Sequence, residues 1–280
     1  MAQKTILAYI PSERRAAQVL RMAVNAASLT GAHVIGLHVV ATFPPYGELA
    51  DALPSETIRR LREPALREAE AVKTIFNDTM TSNTVSSEWC QMTEDYSAVV
   101  DLVVQEARGA DLVVCGNREP NDPFNSWLDI PDRLMLESGR PVLFLPLAPS
   151  TETFGQRALI AWNNTREATR AVYDAADFLA PGAAVDVLTI NPPGRQSQLA
   201  YATGTHIVEA LKRRGMDARS DAVTLKDTST GDYILSRIRA NNHDLLVMGC
   251  YGRSRIREML LGGVTREILH DVNIPAIMSH

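Results

Sequence analysis

No apolar stretch of this sequence approaches the roughly 20 residues that cross a bilayer as a helix. The segment Met1 to Pro11 also lacks the charged start, long apolar run and small-residue cleavage pattern of a signal peptide. Neither a membrane span nor secretion is expected. Cysteine is scarce: Cys90, Cys115 and Cys250 are three, an odd number, without zinc or redox spacing. A chain this long needs no disulfide framework, so a reducing compartment is favoured. Basic excess is missing too. The formal net charge is -5 and the pI is near 5.7, so no overall field draws the chain to nucleic acid or an anionic membrane. A cytoplasmic protein is expected, and any anionic ligand must be held locally.

Catalytic signatures are absent as well. There is no Gly-x-x-x-x-Gly-Lys-Ser/Thr phosphate loop, no Gly-x-Ser-x-Gly elbow, and no Ser/His/Asp or Cys/His arrangement that spacing supports. Phosphoryl transfer needs a lysine among the phosphates and a metal-holding acid, and no such set is present. The histidines at 33, 38, 206, 243, 270 and 280 show no metal-ligand spacing. The chain is read as a non-enzyme, with weak ATP hydrolysis as the most it is expected to do.

What is there is a repeat. At 280 residues the chain is about twice the usual domain size of roughly 100–150 residues. The hydrophobic fraction of 45% and charged fraction of 22% are those of an ordinary globular protein. The order strand, long helix, strand occurs twice. Residues 4–10 read as a strand, Ser12 as the cap of a helix to about Leu29, Gly31 as its stop, and Val34–Val40 as the next strand. Residues 157–162, Thr165, a helix to about Leu179, Pro181-Gly182 and Val185–Ile190 repeat this.

Each half continues with a short continuous apolar run, Asp111–Cys115 and Asp244–Met248. Each closes with another after a proline, Pro141–Pro146 and Pro275–Met278. Such runs suit strands buried on both faces of a parallel sheet. The predicted architecture is α/β: two doubly wound open parallel sheets. The polar segment Ala148–Gln156 is read as the linker, giving domains at 1–148 and 156–280. The halves differ most where the first carries Phe43-Pro44-Pro45 and a helical stretch at about Ser55–Phe76, read as a longer surface helix or a lid.

The stretch from Gly249 to Thr265 follows a buried strand and precedes a predicted helix. Gly249 and Gly252 can shape a loop with no side chain in the way, and Gly262 and Gly263 open the helix. The unpaired N–H groups and dipole of such a helix start form an anion site. Arg253, Arg255 and Arg257 add cations to the same loop. In open parallel sheets ligands sit beyond the carboxyl ends of the strands where strand order reverses. Asn163 would then face the same crevice as Gly249.

Gly249, Gly252 and Gly262 have the spacing Gly, two residues, Gly, nine residues, Gly, which resembles the nucleotide signature of the universal stress proteins. The resemblance covers the whole chain as two copies. It implies five-stranded adenine-nucleotide α-hydrolase-like domains packed as a pseudo-dimer through Pro141–Leu147 and Pro275–Ser279. It implies phosphate and ribose contacts on Gly249, Gly252, Gly262, Gly263 and Val264, with an adenine-side contact on Asn163. Ile190, Arg253 and Thr265 complete the candidate set. The ligand implied is ATP or AMP, with Mg accompanying ATP, and whole chains are expected to associate as homodimers. Departures are visible: Gly263 stands where the pattern has Ser or Thr, and Asn163 where it has aspartate.

The first half departs further. Gly116 is followed by Asn117-Arg118-Glu119-Pro120, no later glycine pair opens a helix near Ile130–Ser138, and Ile10 stands in place of the polar residue. That half is not expected to hold a nucleotide in the family's manner. Cys115 and Cys250 flank the two glycines, Trp162 adjoins Asn163 with Tyr9 read as its counterpart, and all are read as core residues.

Overall fold

The computed structural model describes residues 3–42, 55–117, 130–191, 198–225, 227–250 and 263–280. The first half runs β1 (Thr5–Tyr9), α1 (Glu13–Thr30), β2 (His33–Thr42), α2 (Ser55–Asn83), β3 (Ser87–Asp95), α3 (Val99–Ala107), β4 (Leu112–Gly116), α4 (Ile130–Glu137) and β5 (Val142–Leu145). The second runs β6 (Arg157–Trp162), α5 (Arg166–Ala175), β7 (Ala184–Asn191), α6 (Gln198–Arg213), β8 (Asp217–Thr224), α7 (Thr230–Ala240), β9 (Leu245–Gly249), α8 (Gly263–Asp271) and β10 (Ala276–Ser279).

The strands form one ten-stranded sheet in the order β3-β2-β1-β4-β5-β10-β9-β6-β7-β8. Among the described residues all pairings within each half are parallel, and only β5 and β10 meet antiparallel, with Leu143 opposite Ile277. The closing strands thus join two five-stranded sheets into one, as the proline-led runs predict, and each covers the edge the other would leave open. Strand order reverses between β1 and β4 and between β6 and β9, so each half has a switch point at the carboxyl ends of those strands.

The core lies on both faces. Residues of α1, α2, α5 and α6 pack on one side with Ile6, Ala8, Ile10 and Trp162. Residues of α3, α4, α7 and α8 pack on the other with Leu7, Tyr9, Leu159 and Met248. Alternation along a strand sends successive side chains to opposite faces, which corrects one reading. Thr5 pairs His33 and Arg157 pairs Ala184, so the register places Ile10, not Tyr9, at the counterpart of Trp162, and Pro11 at that of Asn163.

The caps differ, and the segment between the halves is held in place. Ser12 stands at the start of α1 but makes no side-chain cap, whereas Thr165 accepts from Ala168 N at 3.2 Å and does cap α5. The segment read as a polar linker is pinned: Phe154 is buried, its N–H donates to Asn25 Oδ1, and the Asp244 carboxylate accepts the N–H groups of Gly155, Gln156 and Arg157. Of the two readings of the long helix α2, a packed surface helix is what is found, since Ala69, Val72, Phe76 and Met80 are buried on the sheet. Among the described residues no helix is long and apolar enough to cross a membrane.

Candidate functional site

The second-half crevice starts where β6 ends. Asn163 is exposed, and its Oδ1 accepts from the hydroxyl of Thr165 at 2.9 Å and from Thr165 N at 3.3 Å. Asn164 takes φ 58, the left-handed turn that asparagine tolerates better than most residues. These bonds turn the chain sharply into α5. They commit the Asn163 oxygen and leave its Nδ2, a donor, as the group the side chain can offer.

β6 pairs directly with β9, Ala161 opposite Met248, so Asn163 and Gly249 do share the switch point. Gly249 has a local reason to be glycine. A Cβ there would lie 2.5 Å from Ala168 N and 2.6 Å from the carbonyl carbon of Glu167, because the first turn of α5 crosses over it. The bare backbone at this position serves helix packing inside the protein itself.

Glu167 is the buried charge that sequence reasoning missed. Its carboxylate accepts from Arg166 Nε at 2.6 Å. Burial pushes its pKa upward, but hydrogen bonds from Arg166 and its own backbone N–H, with the Arg166 charge, hold the carboxyl below its usual range. The first half carries Arg15 at the matching place. Arg15 is buried, donates to the carbonyls of Leu145 (3.3 Å), Pro146 (3.4 Å) and Leu147 (3.3 Å), and lies against Gly116, whose Cβ would sit 2.6 Å from Nη2. The glycine ending β4 thus faces a guanidinium, and the one ending β9 the backbone and Cβ of Glu167. The one signal for this in the sequence is a charged residue on an apolar helix face.

On the far side of the crevice α8 opens at Gly263. Among the described residues, nothing lies within 4 Å of where a Cβ at Gly263 would sit. Val264 is half-buried and Thr265 buried, which anchors the first turn on the core. Gly252, Arg253 and Gly262 lie outside the described residues. Ile190, at the end of β7, is partly buried against the core next to Val223 and is set off from Gly249 by β6.

The remaining candidates belong to the core. Trp162 is buried at 4% exposure, and its indole N–H finds no acceptor among the described residues. Cys115 and Cys250 are not equivalent positions, since Cys115 precedes its glycine and Cys250 follows. Burial pushes each thiol up to about 12, so neither is a thiolate at neutral pH. Cys250 continues the site only through its backbone, its N–H donating to Ser279 O at 2.9 Å and its carbonyl lying 3.1 Å from His280 Nδ1.

Comparison with known proteins agrees with this architecture. The model of the Universal stress protein family matches residues 2–138 and again 155–280, and the chain belongs to that family. Among curated proteins no sequence matches it. A universal stress protein from Archaeoglobus fulgidus DSM 4304 superposes with a TM-score of 0.74 at 14% identity, covering 99% of this chain and 96% of that one. A putative universal stress protein from Pseudomonas aeruginosa UCBPP-PA14 gives 0.57 at 16% identity, covering 99% and 93%. The cytoplasmic domain of a prokaryotic cation chloride cotransporter gives 0.55 at 10% identity, covering 99% and 95%. At these identities the likeness is one of fold.

Proposed function

We propose that the protein is a cytoplasmic stress-response protein that binds an adenine nucleotide, ATP or AMP, in the crevice between β6, β9 and the start of α8, and signals through association state or partners. One observation carries this reading: α8 opens at Gly263 across the switch point from Asn163, with no described residue within 4 Å of where a Cβ at Gly263 would sit. The N–H groups of the first turn, at Gly263, Val264 and Thr265, have no intrahelical partner and attract a phosphate together with the helix dipole. Gly249, Gly252, Arg253 and Gly262 would shape and charge the intervening loop. Asn163 donates Nδ2 to a ring nitrogen or ribose oxygen, where an aspartate would accept. Ile190 supplies apolar contact to the base, and Mg would accompany ATP at the phosphates.

The domain limits 1–148 and 156–280 divide the labour: the first domain packs and the second binds. The Arg15 guanidinium against Gly116 supports this division, since it fills the space that a ligand's tail would need. A second reading is a module for a different small ligand or for protein contacts. It is favoured by the buried Glu167 carboxylate under the crevice, which repels phosphate.

Mass spectrometry of small molecules released from freshly purified protein separates these readings. Co-purified ATP or AMP without turnover supports the proposal. ADP with measurable hydrolysis favours a weak ATPase, and the absence of any nucleotide favours the second reading. In a titration, Gly262→Asp should abolish ATP binding by placing a carboxylate against the phosphates.

A further inference from the structure

From the geometry of α7 and α8 we infer that Glu267 is a positioning residue, which clasps the amino end of α7 and thereby fixes the opening turn of α8. Glu267 lies one helical turn beyond Gly263. Its Oε1 accepts from the hydroxyl of Ser229 at 2.5 Å and from Asp232 N at 3.1 Å. Ser229 is the residue preceding α7, and its own oxygen accepts from Asp232 N at 2.9 Å. A carboxylate from one helix thus sits at the positive end of its neighbour, sharing the Asp232 N–H with the Ser229 cap, where the dipole favours it.

Gly231 is the independent sign that this contact is built in. It is buried in the first turn of α7, and a Cβ there would overlap the Glu267 carboxyl group. Glycine in a helix interior is disfavoured relative to alanine by roughly 1 kcal/mol. Here the missing side chain is the opening through which Glu267 reaches α7.

The first half makes the corresponding contact with other chemistry. Arg133 and Glu267 stand equally far ahead of the closing strands β5 and β10. Arg133 pairs with the Asp101 side chain on α3 at 2.6 Å and also with Glu137. That is an ion pair between partly exposed side chains, which is weak and adjustable. The second half replaces it with a carboxylate bound to a helix end, a more directional attachment, on the helix that opens the proposed nucleotide crevice. The inference rests on that proposal for its consequence, and on the geometry alone for the attachment.

The test uses full-length protein and three variants. Glu267→Gln keeps shape and removes charge. Gly231→Ala displaces the carboxylate while making α7 a better helix former. Ser229→Ala removes one donor. Amide exchange measured by NMR in the absence of nucleotide should quicken at Glu267–Leu269, the first amides bonded within α8, by about tenfold in Glu267→Gln and Gly231→Ala, and less in Ser229→Ala. Strands β6 and β9 should stay protected.

ATP affinity should fall by a similar factor in the first two variants, and Gly231→Ala should do so without lowering the unfolding midpoint. A purely structural role predicts the opposite for Gly231→Ala, a gain in stability with affinity intact. Unchanged exchange at Glu267–Leu269 in both variants overturns the clasp, whether or not ATP binds. Faster exchange with unchanged ATP affinity overturns its role in positioning the crevice. Failure of the unmodified protein to bind ATP would count against the nucleotide proposal alone, and the exchange rates would still decide the clasp.

Discussion

Substituting Gly263→Ser puts back the hydroxyl that the family pattern carries at this position. Among the described residues nothing lies within 4 Å of a Cβ at 263, and the residue begins a helix, where serine is well tolerated. A hydrogen bond to a charged group contributes about 1.5–3 kcal/mol. At about 1.4 kcal/mol per decade, that is a gain of about 10- to 150-fold in affinity for ATP. The gain should follow the charged tail, so AMP and ATP should tighten while adenosine should not. Titration calorimetry with the three ligands on the full chain measures this, with the unfolding midpoint as a check on the fold. Equal gains for adenosine and ATP, or no gain for ATP in a protein that binds it, would refute the placement of phosphate at the start of α8.

Gly249→Ala should destabilise the protein by about 1–3 kcal/mol in urea unfolding, because the new methyl group meets the backbone of Glu167 and Ala168, which cannot swing away; an unchanged midpoint would contradict the close crossing. Thiol titration of the native protein should leave Cys115 and Cys250 unreacted at neutral pH, with Cys90 the accessible one, and all three should react after denaturation. Stability should fall as pH drops below about 6.5. His243 is buried, with Nε2 3.1 Å from Asp186, and burial lowers its pKa despite that partner. The unfolded chain therefore takes up a proton before the folded one does, and the stabilisation present above the ordinary histidine value is lost as pH falls. Asp186 gives a second loss in more acidic solution: burial opposes its ionisation, but Arg219 and His243 lower its pKa further. His243→Gln should remove the first decline and leave the second.

Much of the fold was legible because its central strands are continuous apolar runs bounded by glycine and proline. Asp111–Cys115, Asp244–Met248 and the two proline-led runs all fell where β4, β9, β5 and β10 lie. The outer strands β3 and β8 were not located, since Ser87–Asp95 and Asp217–Thr224 are half-exposed and polar, as edge strands are. The Tyr9–Trp162 correspondence is off by one residue because α5 begins one residue later in its repeat than α1 does, so the cap residues and the strand faces are out of step. At the candidate site the glycines could be found, but what each one faces could not. Gly249 accommodates a helix, Gly116 an arginine and Gly231 a glutamate, whereas Gly263 has no described residue within 4 Å of where its Cβ would sit. Arg15 and Glu167 were missed because a single charged residue in a helix pattern reads as solvated, whereas here each is buried at a strand end.

The most direct test is amide hydrogen exchange mapped along the full chain with and without ATP. The account predicts new protection at residues 163–166 and 263–266, and none around Pro11–Ala16 or Gly116–Asn117, where Arg15 already fills the crevice. Protection that appears in the first half, or no protection at the start of α8 under saturating ATP, would contradict it.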